Sequence, residues 1–205
     1  IERAHADLLD PARLGYIEAH ATSTSVGDAT EVNALARALK SHIADDVTIP
    51  IGSVKANIGH TLETAGLAGL VKAILCMKHG TIPPVPGIRE LNPAVDWQST
   101  PFVVPTQKRE WLRKDGLPRR AAVNSFGIGG LNAHVVVEEF VKDIKSQQSE
   151  AIRPVDSKAF TRVPADDDVA IVGRSVLAPG HLSAEQMWSK LVDWEHDFSK
   201  VPSDR

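Results

Sequence analysis

The chain has 205 residues, of which 42% are apolar, and its small formal net charge of −3 is typical of a globular protein that buries an apolar core. This balance indicates no nucleic-acid partner and no anionic membrane surface, and the longest apolar run, residues 67–77, is too short to cross a bilayer. The single cysteine, Cys76, excludes an internal disulfide and suits a reducing compartment, so we expect a cytoplasmic protein.

A buried strand and an amphipathic helix are predicted in the first part of the chain. The strand spans residues 14–20 and ends in His20, and a run of small polar residues follows it. Asp28 is the predicted N-cap of the helix, with Glu31 three residues later completing a capping box. One buried helix face is predicted from apolar residues at helical spacing, namely Val32, Leu35, Ala36 and Leu39.

The central stretch, residues 49–80, predicts a strand, a polar elbow and a buried helix. Lys55 and His60 lie in the elbow, and the helix extends from Thr61 as its N-cap to Gly80 at its C-terminal end. A lysine and a histidine beside a helix N-terminus are typical of an anion site. Each glycine inside a helix costs about 1 kcal/mol relative to alanine, so the glycines of this helix predict the close approach of a neighbouring element.

Irregular chain and then two strands are predicted after residue 80. Residues 81–118 are rich in proline and contain one strand-like run, 101–105. Strands at 121–124 and 133–138 flank a glycine turn at 126–130. Because this turn leads into a strand, it does not fit a dinucleotide fingerprint, which must open a helix.

The composition predicts two folded segments joined by a linker. Residues 1–140 form the first segment, and residues 141–168 have the polar composition of a solvated linker. A new buried strand is predicted at 169–173 and an amphipathic helix at 184–192, so residues 169–205 are expected to begin a second domain. Since the chain does not begin with methionine, we expect a piece of a longer polypeptide.

Other common site motifs are absent from the sequence. It contains no Gly-Lys-Ser/Thr of a phosphate-binding loop and no Gly-x-Ser-x-Gly of a serine hydrolase. The eight histidines include no His-x-x-x-His pair, so no metal site is predicted. Solvated positions are expected for His5, His42, His79, His181 and His196. His134 is expected to be a structural strand residue, and Cys76 to fill the core of its helix.

Three polar turns, each closing a buried strand, carry a resemblance to the β-ketoacyl synthases. Residues 20–24, HATST, resemble the family's H-G-T-G-T or H-A-T-S-T turn, and residues 55–60, KANIGH, resemble its K-x-N-x-G-H motif. Residues 125–134, SFGIGGLNAH, are similar to its C-terminal S-F-G-F-G-G-T-N-A-H. The motifs follow the family's order and spacing over residues 13–140.

The resemblance implies an α/β protein with the thiolase-like layered α/β/α/β/α fold, of which this chain is the C-terminal half. Residues 169–205 resemble the start of a second ketosynthase-like domain. The implied reaction is a decarboxylative Claisen condensation of a malonyl thioester with an acyl chain bound to cysteine, within a multidomain synthase. The family's nucleophilic cysteine lies in its N-terminal half, so this chain is expected to be inactive alone.

The resemblance also implies partners and site residues. The partners are an acyl carrier protein with its phosphopantetheine arm, malonyl and acyl thioesters, the remainder of the same ketosynthase domain, and a second ketosynthase or ketosynthase-like domain in a dimer or pair. His20 and His60 are expected to donate ring N–H groups to the enolate oxygen, and Lys55 to hold the charge balance. Thr22 and Thr24 are expected to bind the phosphopantetheine arm. No cofactor or metal is expected in this segment.

The glycine turn is expected to form the acyl gate, with Phe126, Gly127, Ile128 and Gly129 as its residues. The backbone N–H of Ile128 completes the oxyanion hole in this interpretation. Ile128 and Leu131 replace an aromatic residue and a threonine of the family pattern, which changes the shape of the acyl entrance. The alternative is a non-catalytic scaffold, of the chain-length-factor type, that shapes a partner's acyl tunnel.

Overall fold

The structure, a computed structural model, describes residues 1–5, 11–44, 46–141, 175, 177 and 183–194. The helices of these residues are α1 (Glu2–His5), α2 (Ser25–Leu39), α3 (Lys55–Ile58), α4 (Ala65–His79) and α5 (Ala184–Val192). The strands are β1 (Tyr16–Glu18), β2 (Ile49–Gly52), β3 (Thr81–Ile82), β4 (Phe102–Val103), β5 (Arg109–Glu110), β6 (Arg120–Phe126) and β7 (Asn132–Glu138). None of the described helices has the length and apolar content needed to cross a bilayer.

A five-stranded sheet in the order β4-β2-β1-β6-β7 forms the centre of the molecule. Strand β1 pairs in parallel with both β2 and β6, β2 pairs in parallel with β4, and β7 is antiparallel to β6. Parallel strands end at the same edge of a sheet. The chain that follows β1, β2 and β6 therefore meets at one edge.

Helices cover both faces of this sheet. Alternate side chains of β1 point to opposite faces, so Ile17 packs in one core cluster with Leu35 of α2 and Tyr16 packs in another with Ala73 of α4. The sheet between two helical layers confirms the predicted α/β class. A smaller antiparallel pair, β3 with β5, lies apart from this sheet.

Helix α4 approaches the sheet closely at two glycines. A Cβ atom on Gly66 would lie 2.8 Å from the Ser125 hydroxyl oxygen of β6, and one on Gly69 would lie 3.0 Å from Cγ of Glu18 in β1. Both distances are shorter than ordinary van der Waals contacts, so only glycine fits without movement of a neighbour. The close approach predicted from the glycines of this helix is confirmed.

The predicted start of α2 is wrong. The helix begins at Ser25, three residues before Asp28, and its N-cap, Thr24, makes no side-chain capping bond. The carboxylates of Asp28 and Glu31 instead accept hydrogen bonds from the backbone of the preceding turn. Acidic residues at positions 28 and 31 are compatible both with a capping box on the helix and with hydrogen bonds to the preceding turn. The sequence therefore does not distinguish the two.

The start of α4 and the environment of His5 also differ from expectation. A 3₁₀ turn, Leu62–Thr64, precedes the α-helix, and the Thr61 side chain makes no capping bond. His5 was expected in solvent but is 6% exposed. Its contacts involve residues more than a hundred positions away in the chain, which local pattern does not reveal.

The predicted C-terminal helix has the observed bounds, Ala184–Val192, and packs against α4. Its buried Met187 and Leu191 pack in one core cluster with Val54, which precedes the elbow, and Ile58, which lies within it. Trp188 stacks on His79 at a centroid distance of 4.4 Å. The strand predicted at 169–173 lies outside the described residues. The division of the chain at residues 140 and 168 stays a prediction.

Candidate active site

The three motif turns meet at the common edge of β1, β2 and β6. The rings of His20 and His60 are 5.6 Å apart between centroids, and their planes are nearly perpendicular at 84°. The Phe126 ring lies 5.2 Å from the His20 ring. Residues 20, 60 and 126, predicted from separate motifs, are thus brought together by the parallel order of the strands.

Hydrogen bonds define which nitrogen of each histidine carries the proton. The Phe126 N–H donates to Nδ1 of His20 at 3.3 Å, and the Leu62 N–H donates to Nδ1 of His60 at 3.0 Å. A ring nitrogen that accepts a hydrogen bond is unprotonated, so the proton of the neutral ring lies on Nε2. Both rings therefore present an Nε2–H donor.

The electrostatic environment keeps His20 neutral. Burial of the ring, followed by the positive charges of Lys55 and His60, lowers the pKa of His20 to about 4. Burial also lowers the pKa of Lys55, while nearby carboxylates, Glu18 foremost, act in the opposite direction. Within the described residues the Lys55 ammonium forms no ion pair, so its charge is available to an anion.

The histidine turn, residues 20–24, has a strained backbone. Ala21 has a φ of 30° and Ser23 a φ of 62°, which lie in the left-handed region that favours glycine. For a residue with a Cβ atom this conformation is less stable by roughly 1–2 kcal/mol. Interactions from outside the turn must hold this conformation.

Two carboxylates of α2 supply those interactions. Glu31 accepts a hydrogen bond from the His20 N–H at 2.7 Å with one oxygen and from the Ala21 N–H at 2.9 Å with the other. Asp28 accepts one from the Thr22 N–H at 3.1 Å. Three consecutive backbone donors of the histidine turn are thus bound to two acidic side chains.

A polar network continues from Glu31 into the hairpin. The Asn124 amide donates to Glu31 at 2.7 Å, and His134 Nδ1 contacts the Asn124 amide oxygen at 2.6 Å. His5 Nε2 lies 2.9 Å from Nε2 of His134. Burial is the largest cause that lowers the pKa of His134 to about 4. His134 is thus structural, as expected, although its partner His5 was not predicted.

A second buried carboxylate lies beneath the elbow. Glu18 accepts hydrogen bonds from the Val54 N–H at 2.5 Å and the Tyr16 hydroxyl at 2.6 Å, and it pairs with the Lys72 ammonium at 3.0 Å. Burial, followed by the Glu18 charge, raises the pKa of Tyr16 well above its usual value of 10. Sequence reasoning missed this group. The signal available in the sequence was a single charged residue inside each of two apolar runs, Glu18 in the first strand and Lys72 in the central helix.

The glycine turn extends away from the sheet. Gly129 and Gly130 have φ values of 89° and 88°, and the Gly127 N–H donates to the Leu131 carbonyl at 2.8 Å. The Ile128 side chain is fully exposed, and its N–H has no hydrogen-bond partner within the described residues. No contact of Ile128 with either site histidine is present. The role of this N–H as an oxyanion donor stays a prediction.

A cavity of about 460 Å³ borders Lys55 on the side of α2. Thr24 lines it, whereas Thr22 does not, and both threonines are exposed. Ser53 and Asn92 add polar groups, and apolar side chains such as Val85, Val95 and Trp97 form much of the remaining wall. A flexible chain with polar and apolar parts fits such a space.

The described residues offer neither a metal site nor a reactive thiol. No group of three or more metal-ligating side chains occurs among them. Cys76 is fully buried in α4, and burial raises the pKa of its thiol to about 12. Because the thiolate is the nucleophile, this cysteine fills the core, as the sequence predicts.

The chain is similar to solved ketosynthase structures and, in sequence, to polyketide synthases. A ketosynthase from module 6 of the bacillaene synthase of Bacillus subtilis 168 is 41% identical with a TM-score of 0.62, over 65% of this chain and 24% of that one. An oxazolomycin ketosynthase domain from Streptomyces albus is 46% identical with a TM-score of 0.62, over 65% and 24%. A highly reducing polyketide synthase of Cordyceps militaris is 48% identical over 139 residues, 67% of this chain and 5% of the relative.

Two family models match consecutive parts of the chain. Residues 1–89 match "Beta-ketoacyl synthase, C-terminal domain" and residues 92–167 match "Ketoacyl-synthetase C-terminal extension". The chain spans about a quarter of the solved ketosynthase chains and less of the synthases. The chain therefore belongs to the β-ketoacyl synthase family and folds as the C-terminal half of its thiolase-like domain.

Proposed function

We propose that this chain supplies the enolate-stabilising half of a β-ketoacyl synthase in a polyketide-type multidomain synthase. The observation that carries the proposal is the pair of rings, His20 and His60, whose Nε2–H donors lie at one sheet edge. Preorganised donors at a developing oxyanion are among the largest contributions to catalysis of acyl transfer.

The proposed reaction needs charge stabilisation more than a base. The carboxylate of a malonyl thioester leaves as carbon dioxide, and its bonding electrons form an enolate whose oxygen accepts from His20 and His60. The enolate carbon then attacks an acyl thioester. A carbon–carbon bond forms, the carbon–sulfur bond breaks, and the sulfur leaves as a cysteine thiolate. That cysteine comes from the part of the ketosynthase outside this chain, so the chain alone is expected to be inactive.

Three further groups have proposed roles. The Lys55 ammonium, which forms no ion pair in the described residues, balances the negative charge of substrate and enolate.

The N–H of Ile128 stabilises the acyl oxyanion, and Phe126, Gly127 and Gly129 shape the gate around it. Thr22 and Thr24 bind the phosphopantetheine arm of an acyl carrier protein, and the adjoining cavity supports this role for Thr24.

The proposed main partner is the remainder of the same ketosynthase domain. Large apolar side chains are exposed in or beside all three motif turns, namely Val26, Leu62, Ile128 and Leu131. Their position supports the proposal that the part of the domain bearing the nucleophile packs against these side chains. Pairing with a second ketosynthase or ketosynthase-like domain, and a cytoplasmic location, belong to the same proposal.

His60→Ala in the complete ketosynthase tests the proposal. Loss of one oxyanion donor lowers the rate by about 10² to 10³, so both condensation and malonyl decarboxylation are expected to fall by this factor. His42→Ala, an exposed histidine outside the site, is the matched control. Undiminished turnover of the His60 variant would remove His60 from the mechanism. A residue other than cysteine at the nucleophile position would favour the scaffold alternative.

A further inference from the structure

Helix α5 packs beneath the elbow, the segment that leads from β2 to α4 and carries two of the proposed site residues. Val54 and Ile58 of this segment form a core cluster with Met187 and Leu191 of α5, and each of the four is at most 8% exposed. The clusters on the two faces of the sheet consist of other residues. The apolar side chains of the elbow therefore share their core with a helix that follows the predicted linker.

The contact between α5 and α4 continues beyond this core. The Trp188 ring stacks on the His79 ring at a centroid distance of 4.4 Å and an angle of 9° between their planes. The Lys78 ammonium lies 3.9 Å from the Glu185 carboxylate. A ring stack and an oppositely charged pair beside the apolar core give the contact a defined register.

Helix α5 is too short to be stable on its own. It has nine residues, and isolated helices shorter than about 12–15 residues are marginal in water. The Gln186 N–H donates to the Ser183 hydroxyl oxygen at 3.2 Å, a cap that fixes where the helix begins but buries no apolar surface. The helix therefore depends on burial of Met187 and Leu191, which the elbow and α4 supply.

Three sides of α4 have different neighbours. Ala68 and Val71 pack against the cluster that includes α5. Gly66 and Gly69 lie against the sheet, whereas Leu67 is 63% exposed. The remainder of the ketosynthase can thus pack on the exposed side of α4 while α5 stays in place.

We propose that the elbow and α4 form a docking surface for α5, which holds the segment after the linker against the base of the proposed active site. The partner is the first helix of the segment predicted to begin a second domain. Because both partners belong to one chain, the docking is intramolecular and a modest affinity suffices. Release of α5 would remove Met187 and Leu191 from the core beneath the elbow and loosen the one-turn helix α3.

Hydrogen exchange of the full-length synthase tests this docking. The N–H groups of residues 56–59 bond to carbonyl oxygens three or four residues earlier, so their exchange reports opening of the elbow. Leu191→Asp places a charge in the shared core. We expect it to speed their exchange about 10- to 100-fold, the factor by which loss of one buried leucine contact weakens packing.

Ser189→Asp, which adds the same charge to the exposed side of α5, is the matched control and is expected to leave this exchange unchanged. Equal exchange of the elbow in Leu191→Asp and in the unmodified synthase would overturn the proposal, because α5 would then pack elsewhere.

A zero-length carbodiimide crosslink is a second measurement, which needs no substitution in a core and serves if Leu191→Asp does not fold. Lys78 and Glu185 have side chains that are 51% and 68% exposed, so the reagent reaches both. We expect an amide bond between them in the unmodified synthase and none in Lys78→Gln. Absence of this crosslink from the unmodified synthase would overturn the proposal. Neither measurement involves turnover, so a negative result leaves the proposed role of His60 intact.

Discussion

The Nδ1 atoms of His20 and His60 each accept a backbone N–H, from Phe126 and Leu62. These N–H groups belong to the chain itself, so the tautomer is fixed by the fold and needs no carboxylate partner for either ring. A carboxylate beside the ring would favour the charged imidazolium. The arrangement therefore orients both Nε2–H donors through backbone groups alone.

The pH dependence of stability follows from the same environment. The pKa of His20 is lowered to about 4 from 6.5, so as the pH falls the unfolded chain takes up this proton before the folded chain does. Stability from this group is present above about pH 6.5 and is lost as the pH falls towards 4. We expect the melting temperature of the complete ketosynthase to fall in this window, and less steeply for His20→Asn. Parallel curves for both proteins would contradict this prediction.

At the scale of elements, α4 and β1 are joined by close packing and a buried ion pair. Gly69 lies against Glu18, and Glu18 pairs with Lys72 one turn further along the same helix. Glu18 also binds the Val54 N–H at the end of the strand that leads into the elbow. The position of the elbow thus depends on how α4 sits on the sheet.

Gly69→Ala and Gly66→Ala are expected to differ. Alanine raises helix propensity by about 1 kcal/mol at either position, but overpacking costs typically 1–3 kcal/mol. At Gly66 the neighbours are Oγ and Cβ of Ser125, a half-buried residue, whereas at Gly69 the neighbour is Cγ of the buried Glu18, whose carboxylate is held by Val54, Tyr16 and Lys72. We expect Gly69→Ala to have the lower melting temperature. A lower melting temperature for Gly66→Ala than for Gly69→Ala would contradict this expectation, because it would show that the Glu18 side chain moves aside at little cost.

The buried pair of Lys72 and Glu18 permits a similar comparison. Lys72→Met leaves the Glu18 carboxylate buried beside one hydroxyl and one N–H, and removal of one partner from a buried pair costs about 3–5 kcal/mol. The double variant Glu18→Gln/Lys72→Met removes both charges and is expected to be more stable than Lys72→Met. Thermal unfolding of the complete ketosynthase measures both. A double variant no more stable than the single would contradict the account.

At the scale of the whole molecule, the chain has one sheet edge that carries the site and is rich in exposed apolar side chains. Leu62, next to the site histidine of the elbow, is 71% exposed, and Leu112, beside the β3–β5 pair, is 68% exposed. Similar exposure in this chain does not imply similar exposure in the complete domain. Only the first residue lies at the edge where the remainder of the domain is proposed to bind.

Substitution of aspartate for Leu62 or Leu112 tests whether the remainder of the domain covers the site edge. A surface substitution changes stability by less than about 0.5 kcal/mol, whereas an unpaired charge at a buried contact costs several kcal/mol. We expect Leu62→Asp to lower the melting temperature of the complete ketosynthase by at least about 5 °C. Leu112→Asp is the matched control, with little change expected. Equal, small effects of both substitutions would contradict the proposed cover.

The sequence predicted the elements that depend on local pattern. The strand, elbow and helix of residues 49–80, the hairpin and the helix Ala184–Val192 follow from periodicity, glycine and turn residues. It also predicted that His20 and His60 come together, through the two motifs that contain them. It did not predict the roles of Glu31 and Glu18, because most of their partners are backbone N–H groups or residues far away in the chain. Tyr16, two residues before Glu18, is the exception. Backbone donors leave no mark in the sequence.

The histidine turn has side chains at the two positions where the H-G-T-G-T form of the motif has glycine. Glycines there would let the loop interconvert freely among backbone conformations, like a hinge. Ala21 and Ser23 remove much of that freedom, and the carboxylates of Asp28 and Glu31 lock the remaining state. The amide protons of residues 20–22 should then exchange with solvent only when helix α2 detaches from the sheet, so the loop would move with the core as one cooperative unit.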